Sequence, residues 1–127
     1  MSATLIHHGH IRLLKLAKEM GGNVIVGLTT DDEILNQKGY RPELNFSERK
    51  EVLSAIKFVD EIIPSPWLIN DDFLLANSID YLVHGEDNSN DVNKSKLLIL
   101  PRTQGVSSSL MRAKVLKSVA MILEIKK

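Results

Sequence analysis

Two short stretches of this sequence combine ionisable, hydroxyl and glycine residues at spacings that suit phosphate chemistry. In His7-His8-Gly9-His10 the outer histidines are three apart, so on a helix they share a face. Gly9 has no side chain to obstruct a ligand approaching the backbone. Ile11, Leu13, Leu14, Leu16 and Ala17 follow at the spacing of one buried helical stripe, with Arg12, Lys15 and Lys18 outside it. The segment reads as a loop entering a helix with imidazoles in its first turn. Unpaired N–H groups and the helix dipole attract anions there. Taken alone, these residues equally describe surface histidines or the remnant of a metal-binding tag.

The second stretch is Arg102-Thr103-Gln104-Gly105-Val106-Ser107-Ser108-Ser109. A cation, a glycine and hydroxyls again precede a helix start, which makes a second anion site. One serine would suffice as an N-cap, so a redundant cap is the plain alternative. Two phosphate cradles on one sheet edge suggest a nucleoside triphosphate. Lys38 lies in a loop whose cations matter only if that loop covers an anion. Trp67 stands beside Pro66, where an indole can be packing or a ligand platform.

These residues need a scaffold, and the chain is long enough to supply one. Its 127 residues fit a single domain, 1–127, with its own core. Formal net charge is zero, which argues against nonspecific nucleic-acid binding and against attraction to anionic membranes. The absence of cysteine excludes disulfides, thiolate nucleophiles and cysteine metal sites, and it fits a cytoplasmic protein. No apolar run reaches membrane-spanning length.

Periodicity and punctuation predict helices over 8–20, from Thr30, from Asn45 to Ile56 and over 71–77, with a final helix capped by Ser107. Asn45 and Glu48 have the spacing of a capping box. Strands are expected at 23–29, 59–63 (closed by Pro64), 79–84 and 97–100, and residues 88–95 as a polar, mobile connection. This order predicts an α/β fold with a parallel sheet whose ligands bind beyond the carboxyl ends of the strands.

With these residues in place, the chain resembles the cytidylyltransferase family of the HxGH nucleotidyltransferase superfamily. His7-x-Gly9-His10 is similar to the signature HxGH, and Lys38-Gly39 to the family's loop lysine. Glu48-Arg49-Lys50 is similar to its E-R-x motif, Val59-Asp60-Glu61-Ile62-Ile63 to its VDEVI strand, and Arg102-Thr103-Gln104-Gly105-Val106-Ser107-Ser108 to R-T-[EQ]-G-[IV]-S-[ST]. The resemblance implies a Rossmann-like parallel sheet of about four to five strands with helices on both faces. It also implies CTP as donor, Mg²⁺ held mainly by the triphosphate, a pyrophosphate product and a homodimer.

Carried onto this sequence, the resemblance makes His7, His10, Lys38 and Arg102 catalytic. Gly9, His10, Arg102, Thr103, Gly105, Val106, Ser107 and Ser108 would bind CTP, and Lys38, Arg49 and Trp67 the acceptor. Arg49 serves the acceptor phosphate, the loop or a structural ion pair. Glu86 and Asp87 are candidates to touch the metal ion, although no side chain is assigned as a metal ligand. Two branches are resembled at once. Leu100-Pro101-Arg102-Thr103 is like the glycerol-3-phosphate enzymes, whereas Pro66-Trp67 and Val83-His84-Gly85 are like the choline- and ethanolamine-phosphate enzymes. A quaternary ammonium prefers an aromatic cage, and residues 84–96 hold no second aromatic. Glycerol 3-phosphate is therefore the first expectation, followed by phosphoethanolamine or phosphocholine. Ser107-Ser108-Ser109-x-x-Arg112 also resembles adenylyltransferases, so ATP is the alternative donor, and a noncatalytic nucleotide-binding dimerisation module is the alternative function.

The family begins with a strand leading into G-x-F-D-x-x-H. Six residues precede His7 here, and Thr4 falls where the family has its aspartate. The first strand is thus expected to be missing from the sheet, and transfer by these residues alone to be weak.

Overall fold

The computed structural model describes residues 1–85, 89–101, 103–105, 107–111, 113, 114 and 116. Chain order is α1 (His8–Glu19), β1 (Ile25–Thr29), α2 (Asp31–Lys38), α3 (Phe46–Ser54), β2 (Glu61–Ser65), α4 (Asp71–Ala76), β3 (Leu82–Gly85), a 3₁₀ turn (Lys94–Lys96) and β4 (Leu97–Leu100). Residues 108–111 are helical again. The α/β class is as expected, and α3 begins with the expected reciprocal cap between Asn45 and Glu48.

The sheet differs from expectation. It forms two separate parallel pairs, β1 with β2 and β3 with β4, instead of one sheet of four to five strands. On the edge of β1 opposite β2, the Met1 amine donates to Gly27 O (2.8 Å) and Met1 O accepts from Thr29 N (2.9 Å). This is one rung of a parallel ladder. Among the described residues no further strand continues it across to β3, so the two pairs stay apart.

Among the described residues β2 is an edge strand, which explains how it includes Pro64 instead of ending there. Glu61 N donates to Val24 O and Ser65 O accepts from Thr30 N, the residues flanking β1, so alternation turns the ring nitrogen of Pro64 to the outer edge, where no N–H is needed. Alternation along β1 also builds the core. Val24, Val26 and Leu28 pack with Ala3, Leu14 and Leu53, while Phe46, Phe58 and Ile62 close around them. The α1 stripe is narrower than its spacing predicts. Leu14 is buried, but Ile11 and Leu16 remain 41% and 36% exposed.

The polar connection after β3 is pinned where it is described. Asn90 Oδ1 accepts from Ile69 N (2.7 Å), and the Asp71 carboxylate accepts from Asn93 N (3.0 Å). Short amide and carboxylate side chains bond backbone N–H groups readily, so a polar run can be ordered without an apolar face.

Candidate active site

Parallel pairing puts the carboxyl ends of β1 and β2 on one edge, and the chain turns from β1 directly into α2 there. His7 is the N-cap of α1, in extended conformation. Its Nδ1 accepts from Gly9 N (3.1 Å), while Nδ1 of His10 accepts from His7 N (3.1 Å). The two histidines thus form a reciprocal capping box, with imidazoles in the places usually taken by a hydroxyl and a carboxylate. Their rings lie 3.9 Å apart between centroids, tilted by 36°.

This arrangement sets the tautomer. An Nδ1 that accepts a hydrogen bond carries no proton, so each ring holds its proton on Nε2. The imidazoles thus satisfy the Gly9 N–H in the first turn of α1 and the N–H of the cap residue His7. Burial, then His7 and the N-terminal amine, lowers the pKa of His10 to about 4. His10 is therefore a neutral donor at physiological pH. His8 is exposed and makes an edge contact with His7, 6.3 Å between centroids.

The second stretch is joined to the first. Ser107 Oγ accepts from Leu110 N (3.0 Å) and is the expected helix cap. Ser108 Oγ donates to Leu5 O (2.9 Å) and accepts from Leu5 N (3.2 Å), which ties this helical turn to the segment entering α1. The Ser108 hydroxyl proton is thereby committed to protein, so a phosphate would meet this residue through its backbone N–H. Gly105 has φ +74°, a conformation that favours glycine. Thr103 is half-buried beside it. Arg102, Val106 and Arg112 lie outside the described residues, as do Glu86 and Asp87.

Lys38 ends α2, with Gly39 following in left-handed conformation (φ 78°) as its C-cap. Its Nζ lies 5.8 Å from the centroid of the half-buried Trp67 ring, just beyond β2. The fold thus brings together two of the three expected acceptor residues.

The third, Arg49, is turned inward and corrects the expectation that it meets the acceptor. It is fully buried (0% exposed). Its Nε donates to Leu44 O, its Nη1 to Ser2 O and Thr29 O, and its Nη2 to Asp31 Oδ1 (2.6 Å). A guanidinium with this set of protein oxygens is an internal brace. Of the readings open in the sequence, the structural ion pair is the one that matches.

Three further sets of contacts carry little or no sequence signal. Asp31 accepts from Phe46 N (3.0 Å) as well as from Arg49. Leu5 meets Ser108 through backbone atoms, which no residue pattern reveals. Asp60 accepts from Lys18 Nζ and Val24 N (both 2.7 Å), and these bonds hold its pKa below the ordinary carboxylate value. Its place inside the VDEII segment was the available clue. His84 is a strand-end hydrogen-bonder, donating from Nδ1 to Gly85 O (3.2 Å).

The family model described as cytidylyltransferase-like matches residues 4–106, most of the chain. The chain belongs to the cytidylyltransferase-like family. Its similarity extends to an ethanolamine-phosphate cytidylyltransferase of Dictyostelium discoideum, 34% identical over 123 residues, covering 88% of this chain and 34% of that protein. A glycerol-3-phosphate cytidylyltransferase of Bacillus subtilis (strain 168) is 32% identical over 116 residues, covering 87% of this chain and 89% of that protein. The cytidylyltransferase-like chain therefore spans about a third of the first relative and nearly all of the second. Among solved structures, a lipopolysaccharide core biosynthesis protein from Thermoplasma volcanium GSS1 superposes with a TM-score of 0.67 at 19% identity, covering 82% of this chain and 93% of that one. At that identity the likeness speaks for the fold. No helix among the described residues is long and apolar enough to cross a membrane.

Proposed function

We propose that this chain transfers a cytidylyl group from CTP to a small phosphorylated alcohol, with glycerol 3-phosphate as the first choice of acceptor and phosphoethanolamine next. The observation that supports this reading is the histidine capping box, which puts two imidazoles at a helix N-terminus with their Nδ1 atoms accepting backbone hydrogen bonds. An acceptor phosphate oxygen attacks the α-phosphorus of CTP in line. The new O–P bond forms as the bond to the bridging oxygen breaks, and pyrophosphate leaves. The chemistry needs no covalent nucleophile, only alignment and charge stabilisation. His7 and His10 donate to oxygens whose charge grows in the transition state. Lys38 and, by the motif, Arg102 neutralise phosphates. Gly9, Thr103, Gly105, Ser107, Ser108 and, by the motif, Val106 bind the nucleotide, with the second helix N-terminus facing its phosphates.

Among the described residues no three His, Asp or Glu side chains gather into a metal cage. By the family resemblance, Mg²⁺ would be held mainly by the triphosphate oxygens and would neutralise part of their charge. The acceptor preference rests on Lys38 lying over Trp67. That indole face already holds the chain's own cation, so a quaternary ammonium would have to displace it. A homodimer in the cytoplasm completes the reading, supported by the family resemblance and the cysteine-free composition.

The test measures pyrophosphate release with CTP and with ATP, each against glycerol 3-phosphate, phosphoethanolamine and phosphocholine. Release with CTP and glycerol 3-phosphate above the other pairs is expected. Nucleotide binding without release for any pair would instead favour a noncatalytic module, and release with ATP alone would change the donor.

A further inference from the structure

We infer that the ion pair between half-buried Asp31 and fully buried Arg49 positions Lys38 against Trp67, and so tunes the acceptor end of the site without touching it. Asp31 opens α2, and its two carboxylate oxygens face different partners: Oδ1 accepts from Arg49 Nη2 (2.6 Å) and Oδ2 from Phe46 N (3.0 Å) at the start of α3. Arg49 also holds Thr29 O (2.9 Å) at the end of β1 and Leu44 O (3.1 Å) in the loop before α3. Its guanidinium carbon lies 5.9 Å from the Phe46 ring centroid. Both ends of the excursion from α2 to α3 are therefore fastened to one buried cation.

That excursion carries Lys38. α2 is a helix of eight residues, pinned at its first residue by this pair and at its middle by Ile34, which is fully buried. A helix held at two points has its last residue placed by geometry, at about 1.5 Å of rise per residue. Lys38 is that last residue, and its Nζ meets the Trp67 ring at 5.8 Å. Arg49 touches neither group and acts through α2, so it is a positioning residue. Replacing Asp31 leaves the buried Arg49 charge uncompensated, which moves whatever the pair was holding.

Trp67 is the single tryptophan of the chain, so its fluorescence reports this contact directly. Acrylamide quenching, thermal melting and steady-state kinetics are compared in the parent protein, Asp31→Asn, Asp31→Glu, Lys38→Met and Asp31→Asn/Lys38→Met. Loss of an exposed cation–π contact corresponds to about a two- to fivefold effect. In Asp31→Asn and Asp31→Glu the quenching of Trp67 should rise and KM for the phosphorylated alcohol should rise by that factor, with kcat changing less. In the Lys38→Met background, Asp31→Asn should add nothing to quenching.

Variants that melt lower yet keep parental quenching and acceptor KM would reduce the pair to a purely structural role. Asp31→Glu keeps the charge facing Arg49, and its quenching and KM decide between the two roles if Asp31→Asn does not melt cooperatively. Failure of both to fold also overturns the inference, because a pair required for folding is not a positioning device. The kinetic arm rests on the proposed acceptor site. If no phosphorylated alcohol is turned over, that proposal falls, and quenching alone still judges the pair.

Discussion

The Ser108 hydroxyl bonds both backbone groups of Leu5, donating to its carbonyl at 2.9 Å and accepting from its amide at 3.2 Å. One small side chain thus joins the two helix starts read as phosphate cradles, across 103 residues of sequence. The bond pair fixes the distance between the histidine box and the turn containing Gly105, and a triphosphate spanning both would depend on that distance.

Ser108→Ala should therefore cost more than an ordinary cap substitution. It leaves a part-buried N–H and a part-buried carbonyl of Leu5 without this partner, a loss of about 1–3 kcal/mol. Ser107→Ala removes only the cap to Leu110 N, at about 1 kcal/mol. Urea titration of both variants gives the ranking. KM for CTP should rise in Ser108→Ala, and equal midpoints with an unchanged KM would remove Ser108 from any role in spacing the cradles.

His10→Ala should lose turnover far more than CTP affinity, because a donor to developing charge acts mainly in the transition state. Removing one such donor typically lowers kcat by roughly 10²–10³. A variant within a few-fold of the parent, measured by pyrophosphate release, would refute the assignment of the His10 Nε2–H.

The same residue makes stability depend on pH with a definite sign. The His10 pKa falls from 6.5 to about 4 on folding, chiefly through burial. Between those values the unfolded chain binds a proton that the folded chain does not, so stability rises with pH across the window and is lost as pH falls through it. Protonation at Nδ1 would also break the bond from His7 N. Urea midpoints measured from pH 4 to 6.5 should climb in the parent and climb less in His10→Gln. Parallel slopes in the two proteins would show that another group titrates there.

Gly27→Ala should strain the pairing of β1 with β2. An added Cβ would stand 3.3 Å from Ser65 Cβ, 3.5 Å from Ser65 Oγ and 3.6 Å from Ile69 Cδ1. Overpacking of this kind costs about 1–3 kcal/mol. Ser65→Gly removes the opposing atoms, so the double variant should recover about 0.5 kcal/mol or more relative to additivity. Strict additivity in a urea-denaturation cycle would mean that β2 simply moves aside.

Features governed by local physics were legible in the residue order. Element order, the Asn45–Glu48 cap on α3, the Ser107 cap and the histidines in the first turn of α1 follow from residues within one helical turn of each other. Those interactions need no distant partner, so spacing alone reveals them. The family motifs were legible for a similar reason, since each lies within one short segment. Whatever depends on distant or backbone partners was settled by the folded chain. Strand partnership is one case: among the described residues the ladder stops after the single Met1 rung, leaving two pairs where periodicity promised one sheet. Arg49 is another, because a cation three residues into a helix looks the same whether it faces solvent or four protein oxygens. The protonated nitrogen of each imidazole, the commitment of the Ser108 hydroxyl to Leu5 and the meeting of Lys38 with Trp67 were likewise absent from any pattern of residue types. Each depends on where the chain returns in space, and burial then sets how strongly each group holds its proton or its partner.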